Sequence, residues 1–413
     1  MMASYSKIAR MTLLAGSILS ICVEHAQAGA FGLNEYGAIG TGMAGAGAGT
    51  GGLGLGSVEF NPAALTSFDG TRTSSTFTYI RPEIRIDAPT GNTGDIAQRG
   101  RLVPASQASY QIDDHWWVGI TLSSPFGLIT SIDPNNWASY HGRVSKILDV
   151  DATPVVAYKV NDWLSIGAGL QINYIDAEFG SSLTPLVPGS ALRLSGSDTS
   201  LGYKLGATVR PFDGTEIGIG YRSQIDPNLH GDLTTNIPIL GASGLILPGT
   251  QDMNVGLKLP AQLNVGLRQV ITPDLTMLAS YQWTNWSVFD RFMATTNAGP
   301  AIPLNFGLKD GWLVALGGEY KWSNTTTLRA GINYEKSPIT TAVREPRLPD
   351  ADRVAVAIGY TYKYSDKLSF DAGYMHVFVK DGAIDLTSPG VVPLTGTAKS
   401  QVNIAAVSVN YKW

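Results

Sequence analysis

The sequence predicts an all-β fold, a transmembrane antiparallel β-barrel of about fourteen strands with an N-terminal plug, or hatch, inside the lumen. Three observations predict it. Apolar and polar residues alternate with period two in segment after segment. Short polar turns alternate along the chain with long irregular connections. Ahead of the first strand lies a Gly/Ala tract that suits neither helix nor strand.

Residues 1–28 read as an export signal. Lys7 and Arg10 precede a short apolar run, Met11 to Val23, and Ala26-Gln27-Ala28 supplies the small residues of a cleavage site. The mature start falls at Gly29. Cys22 is the only cysteine, so the mature chain has neither disulfide nor thiolate metal site. That suits passage through an oxidising compartment. A formal net charge of −4 offers no basic footprint for nucleic acid. Only 15% of the residues are charged, low for a soluble chain. After the signal no apolar run approaches the ~18 residues of a transmembrane helix. An exported, charge-poor chain with 47 Gly and 17 Tyr is the composition of a membrane barrel.

Residues 29–70 form the plug. Gly costs about 1 kcal/mol per helical site relative to Ala, and Gly37 to Gly56 has no alternating apolar face. The segment closes on Asn61-Pro62-Ala63-Ala64-Leu65, where Asn61-Pro62 reads as a rigid turn. Gly29, Ala30, Phe31, Gly32 and Leu33 are expected to move as a gate, with Asn61, Pro62 and Ala63 as its fixed end. Gly40 to Gly45 fits G-x-G-x-x-G, but no strand precedes it, so no dinucleotide site is expected.

Residues 71–413 form the barrel wall. From Leu164 to Tyr174 the apolar set Leu164, Ile166, Ala168, Leu170, Ile172 and Tyr174 alternates with Ser165, Gly167, Gly169, Gln171 and Asn173. That is about one tilted membrane strand. The pattern recurs around Ile217–Tyr221, Leu257–Leu267, Leu275–Trp283 (broken only by Leu278), Trp312–Trp322, Leu328–Tyr334, Val354–Tyr362 and Leu368–Tyr374. Short turns fall at Asp113-Asp114-His115, Asn161-Asp162, Asp213-Gly214, Pro273-Asp274, Ser323-Asn324 and Ser365-Asp366. Seven longer segments lie between and beyond them, at 87–100, 127–147, 180–199, 225–256, 287–310, 335–351 and 379–399. Short turns at one end and long loops at the other are the asymmetry of an outer-membrane barrel. Tyr110, Trp116, Trp117, Trp163, Trp322, Tyr362 and Tyr364 flank the short turns, as an interfacial girdle would. The last strand, Ser400 to Trp413, alternates to a terminal aromatic.

Several motifs together resemble one family, the FadL/TodX (Toluene_X) outer-membrane transporters. They are Phe31-Gly32-Leu33-Asn34-Glu35-Tyr36, Asn61-Pro62-Ala63-Ala64-Leu65, Ser124-Pro125-Phe126-Gly127-Leu128, Trp283-Thr284-Asn285-Trp286-Ser287, Leu328-Arg329-Ala330-Gly331 with Ser337-Pro338, and Leu348-Pro349-Asp350-Ala351-Asp352-Arg353. The resemblance spans the mature chain in order. It implies a fourteen-stranded barrel with an internal hatch, in the outer membrane of a Gram-negative cell. It also implies passive uptake of long-chain fatty acids or hydrophobic hydrocarbons, and a terminal strand read by the barrel-assembly machinery. A ligand would land among the extracellular loops and pass to an apolar pocket beside the N-terminus. It would leave sideways through a kink in the third strand, here Ser123, Ser124, Pro125, Phe126 and Gly127. Pro125 lacks an N–H for the ladder, so a break there is expected physically too; the plain alternative is that Pro125 ends the strand.

Burial gains about 0.8 kcal/mol per CH₂, so an alkyl ligand needs an apolar path and not a wet pore. Leu183, Leu186, Val187 and Leu192, with Ile237, Ile239, Leu240, Leu245 and Ile246, are the groove candidates; the alternative is a self-packed loop lid. Arg222, Lys258, Arg268, Glu319, Arg329 and Asp371 fall on polar strand faces and are expected to line the lumen. Arg222, Lys258 and Arg329 are the possible head-group contacts. The loop Ile302 to Gly307 is apolar where a base would be sought, which keeps neutral and aromatic hydrocarbons open beside fatty acids. The expected partners are a hydrophobic small molecule and outer-membrane lipid with lipopolysaccharide, and the barrel is expected to be a monomer. No cofactor, metal or nucleic acid is expected, because the four mature histidines show no ligand spacing. Two other readings stand beside transport: a surface adhesin or receptor barrel, and an outer-membrane hydrolase, although no G-x-S-x-G elbow occurs.

Overall fold

The computed structural model describes residues 30–89, 91–96, 100–242, 244–297, 299–387 and 392–413. The expected signal segment, residues 1–28, and Gly29 lie outside them. Fourteen strands close an antiparallel barrel. They are β1 (Thr71–Ala88), β2 (Arg101–Gln111), β3 (Trp116–Ser123), β4 (Val144–Lys159), β5 (Leu164–Ser182), β6 (Ala191–Val209) and β7 (Thr215–Arg222), followed by β8 (Gln262–Val270), β9 (Leu275–Thr284), β10 (Gly311–Lys321), β11 (Thr326–Lys336), β12 (Arg353–Lys363), β13 (Leu368–Val379) and β14 (Leu394–Lys412). Each pairs with the next, and β14 returns to β1 from Arg72↔Lys412 to Asp87↔Thr397. Closure removes the edges a sheet would otherwise expose to lipid.

The turns at one end are the six short ones the residue pattern predicts. The long connections are more ordered than expected. β5 and β6 run past the expected loop start and leave only 183–190 between them, and 225–256 contains strands Asn228–Thr235 and Gly249–Gly256. These raise the wall above the membrane on the long-loop side.

Outward residues carry the apolar set. Ile120, Ile166, Leu170, Leu205, Ile219, Leu316, Ile332, Ile358 and Val407 all project from the wall. Such a continuous apolar band is intelligible only against lipid. Trp116, Trp163, Trp322, Tyr362 and Tyr364 project outward beside the short turns. Trp117 does not join them. It points inward, and its indole N–H donates to the Phe68 carbonyl at 3.1 Å. Successive strand residues face opposite sides, so Trp116 and Trp117 cannot share a girdle.

Residues 30–70 lie inside the wall as a series of single helical turns: Ala38–Thr41, Gly51–Glu59 and Pro62–Ser67. The tract follows the inner wall from β13 round to β5. A methyl group on Gly373 would overlap the Ala38 carbonyl, one on Gly331 that of Met43, and one on Gly220 that of Phe60. The inward glycines of the wall therefore mark where backbone meets backbone. Leu278, the one break in its strand's alternation, turns inward against Gly47 and Gly52.

Candidate functional site

The site is built where β3 leaves the barrel ladder. β2 and β3 pair only from Gln111↔Trp117 to Ser106↔Leu122. Beyond that point Leu102 to Ala105 of β2 pair with β1 alone. β3 stops at Ser123, opposite Asp151, and pairing with β4 resumes at Gly127↔Leu148. Ser124, Pro125 and Phe126 thus stand opposite only Asp149 and Val150. This is a bulge, which bends its strand away from the neighbour. The missing N–H of Pro125 leaves that residue nothing to donate to a ladder.

The N-terminal segment takes over the abandoned hydrogen bonds. Gly32 bridges Phe126, the Leu33 N–H donates to the Pro125 carbonyl at 2.8 Å, and the Gly127 N–H donates to the Phe31 carbonyl at 2.8 Å. Ala30 precedes this pair with φ +57°, a conformation uncommon without glycine. Its N–H donates to Asp350 Oδ2 at 3.2 Å. Asp350 also accepts from Ser337 Oγ at 2.6 Å and from Arg353 at 2.8 Å. Asp350 and Arg353 were visible only as part of a family motif, with no role attached.

At the other end of the segment, Asn61 caps Pro62–Ser67. Its Oδ1 accepts from the Ala63 N–H at 3.0 Å. Its Nδ2 donates to the carbonyls of Gly49 at 2.7 Å and Ala207 at 3.0 Å, and to Thr208 Oγ1 at 3.1 Å. Asn is a strong N-cap, and Pro suits the first helical position because its missing N–H has no helical partner anyway. One side chain therefore ties two hatch turns to β6.

Above the bridge Phe31 packs on Trp286 at 4.6 Å, Phe289 at 4.9 Å and Phe126 at 5.8 Å between ring centroids. Phe289 contacts Phe292 and Phe306, and Phe306 contacts Phe179. These rings are the heart of an apolar cluster inside the long-loop half of the barrel, with Leu192, Ile239 and Ile246 against it. Phe289 and Phe292 carried no signal in the sequence, and Phe306 only as part of the apolar loop Ile302 to Gly307. They sit in connections without periodicity, and only folding converges them.

The remaining groove candidates go elsewhere. Leu183 and Ile237 are half-buried outside this cluster. Leu186, Val187, Leu240 and Leu245 are exposed on the loops, Leu186 at 89%. The head-group candidates are separated as well. Arg222 is buried beside the kink, its guanidinium 4.8 Å from the Phe126 ring centroid. Arg329 lies at the short-turn end, paired with Glu319 at 3.2 Å, in a mouth of about 540 Å³ shared with Arg268 and Asp371. Lys258 is exposed and does not face the lumen. Pro260 breaks the ladder, β8 starts only at Gln262, and the alternation slips there. Leu257 and Leu259 turn inward into the apolar cluster instead.

Comparison with known proteins agrees with this architecture. The family model described as outer membrane protein transport protein (OMPP1/FadL/TodX) matches residues 19–413. The chain is 27% identical to the long-chain fatty acid transport protein of Escherichia coli strain K12, over 94% of this chain and 99% of that protein. It is 28% identical to the 47 kDa outer membrane protein of Pasteurella multocida over the whole of both chains. Among solved structures, a Pseudomonas aeruginosa FadL homologue superposes with TM-score 0.83 at 23% identity, covering 93% of this chain and 99% of that one. The Pseudomonas putida toluene transporter TodX superposes with TM-score 0.74 at 19% identity, covering 94% and 100%.

Proposed function

This chain belongs to the OMPP1/FadL/TodX family of outer membrane transport proteins, and we propose that it takes up hydrophobic small molecules through a gated route with a lateral exit. It is a transporter of the outer membrane and not an enzyme. The observation that carries the route is the bridge of Gly32 to Phe126, with Phe31 seated under the aromatic cluster. One short segment is thereby hydrogen-bonded to the kink and capped by the cluster at once. Withdrawal of Ala30 to Leu33 opens the floor of the cluster and frees the kink together. Asn61, Pro62 and Ala63 hold the far end of the hatch fixed. The break between β2 and β3 leaves the ligand a way into lipid instead of water. That direction is favoured by about 0.8 kcal/mol per CH₂ kept dry. Relatives named for long-chain fatty acid and for toluene bracket the ligand class as amphiphilic acids and small aromatics. Leu192, Ile239 and Ile246 extend the apolar path upward, and the exposed Leu186, Val187, Leu240 and Leu245 offer a landing surface. The barrel would act as a monomer within lipopolysaccharide-rich lipid, inserted by the assembly machinery through β14.

The test is uptake of radiolabelled oleate and of toluene by cells with and without this protein. Expression should raise the entry of at least one of them several-fold. Equal rates for every hydrophobic compound tried would overturn the transport route.

A further inference from the structure

We propose that the outward face of the β13–β14–β1 seam, with Arg81, Arg85 and Lys399 at its centre, is a docking site for the phosphorylated sugars of lipopolysaccharide. The proposal goes beyond the transport route. It takes from the reading above only that the barrel stands in the outer membrane with its long connections outside.

Height places these residues among head groups. On β14 the outward residues from Trp413 up to Ala405 are uncharged, and so are those of β1 from Thr73 up to Tyr79. The first charge on this face is Arg81, set opposite Asn403. Asn403 lies ten residues before Trp413, an exposed aromatic at the short-turn end. At about 3.3 Å per residue and a strand tilt of about 40°, that is about 25 Å of height, the thickness of the apolar band. Arg81 therefore stands where the hydrocarbon ends. In the outer leaflet of this membrane the head groups above that level are phosphorylated sugars.

Charge selects the phosphate. The side chains of Arg81 and Arg85 are more than half exposed, and Lys399 sits across the ladder from Arg85. These three cations share two acids. Glu83 lies 3.6 Å from Arg81 Nε and also accepts from Gln401 at 2.6 Å. Asp87 lies 3.5 Å from Arg85 Nε and 3.0 Å from Lys399. Among the described residues neither arginine makes a hydrogen bond through its terminal nitrogens. Arginine presents those nitrogens as a planar fork that matches phosphate. Arg81 and Arg85 stand four residues apart on one face, about 13 Å, so two phosphates at opposite ends of a sugar pair can each meet one. Beside Arg81, the His376 ring and the Tyr374 hydroxyl both reach Asn403 Oδ1, at 2.9 and 2.8 Å, and give sugar hydroxyls a polar floor. The outward charges of β4, β5 and β6 differ. Lys146 meets Asp176 at 3.8 Å and Arg193 meets Glu178 at 2.8 Å, so each cation there has an acid of its own.

Binding of lipid A to the purified full-length barrel in detergent, read by native mass spectrometry with EDTA present, tests this. EDTA removes divalent cations that would bridge phosphate to acid. The triple variant Arg81→Gln, Arg85→Gln, Lys399→Gln should bind bis-phosphorylated lipid A about tenfold more weakly or worse, the loss expected when charge-assisted hydrogen bonds go. Its affinity for lipid A stripped of both phosphates should change less than twofold. The control pair Lys146→Gln with Arg193→Gln should leave both lipids within twofold of the parent. An equal loss for both lipids would assign the seam to sugar or acyl packing, and an equal loss in the control pair would assign binding to net charge. Phosphatidylglycerol held as tightly as lipid A, and weakened as much by the triple variant, would reduce the seam to a general anionic surface. Each of these results overturns the proposal, as does unchanged binding of bis-phosphorylated lipid A. Should the triple variant fail to assemble, Arg85→Gln alone should weaken that lipid about threefold, and no change would again overturn the site. Uptake of oleate and toluene, measured in parallel, should be the same for parent and triple variant; it reads the transport route alone, so the two readings fail separately.

Discussion

Glu35 shows how a single buried acid can bias the proposed gate. It lies two residues after Leu33, nearly without solvent contact, and accepts from the Asn34 N–H at 3.0 Å. Burial pushes its carboxyl up to about 7, with Glu335 adding to the rise and Arg353 opposing it. The folded value lies above the ordinary 4.5, so the closed arrangement holds its full margin below pH 4.5 and loses it as pH rises through about 7. The proposed gate should therefore loosen between about pH 4.5 and pH 7. Leu33→Cys provides a probe, because the only cysteine of the sequence, Cys22, lies in the expected signal segment. Its reaction rate with a water-soluble maleimide should climb across that window, and Glu35→Gln should flatten the climb. A rate that follows only the intrinsic thiol ionisation in both proteins would refute this. Asp350 and Asn61 act at the same scale, since each gathers several donors or carbonyls that no spacing rule in the sequence brings together.

At the scale of elements, the decisive feature is a mismatch of three residues against two between β3 and β4. Pro125 made a break legible in the sequence but left two outcomes open, a strand end or a kink. The ladder resumes at Gly127, so the strand continues beyond the break. Deleting Pro125 alone should restore an even count, let β3 follow β2 further, and narrow the proposed lateral opening. Uptake should then fall at least tenfold while the barrel keeps its heat-dependent shift on gel electrophoresis. Undiminished uptake by such a folded variant would exclude the lateral route. Lys258 teaches a related lesson. Period two is reliable within a strand, but a proline can slip the alternation, and every assignment of facing beyond it is then reversed.

For the molecule as a whole, the hatch and wall are fitted to each other by absent side chains. Gly331→Val would press a branched side chain into the Met43 carbonyl. Such overpacking costs about 1–3 kcal/mol, and the hatch is the part that can yield, because the wall is locked by its closed ladder. Single-channel recordings should show the variant leaking ions while its barrel remains assembled; a conductance equal to that of the parent would mean the hatch had absorbed the change. Much of this architecture was legible beforehand. Alternation is a local property, set by which neighbours meet lipid and which meet the lumen, so the chain by itself determined the strand number, the turns, the compartment and the odd character of residues 29–70. The inward glycines were legible as a pattern and not as a fit, because their meaning lies in the backbone of another segment. The aromatic cluster, the Gly32 to Phe126 bridge and the burial of Arg222 over Phe126 were decided only by tertiary structure. Each joins residues tens to hundreds of positions apart, and their distances follow from barrel closure, which no local pattern encodes.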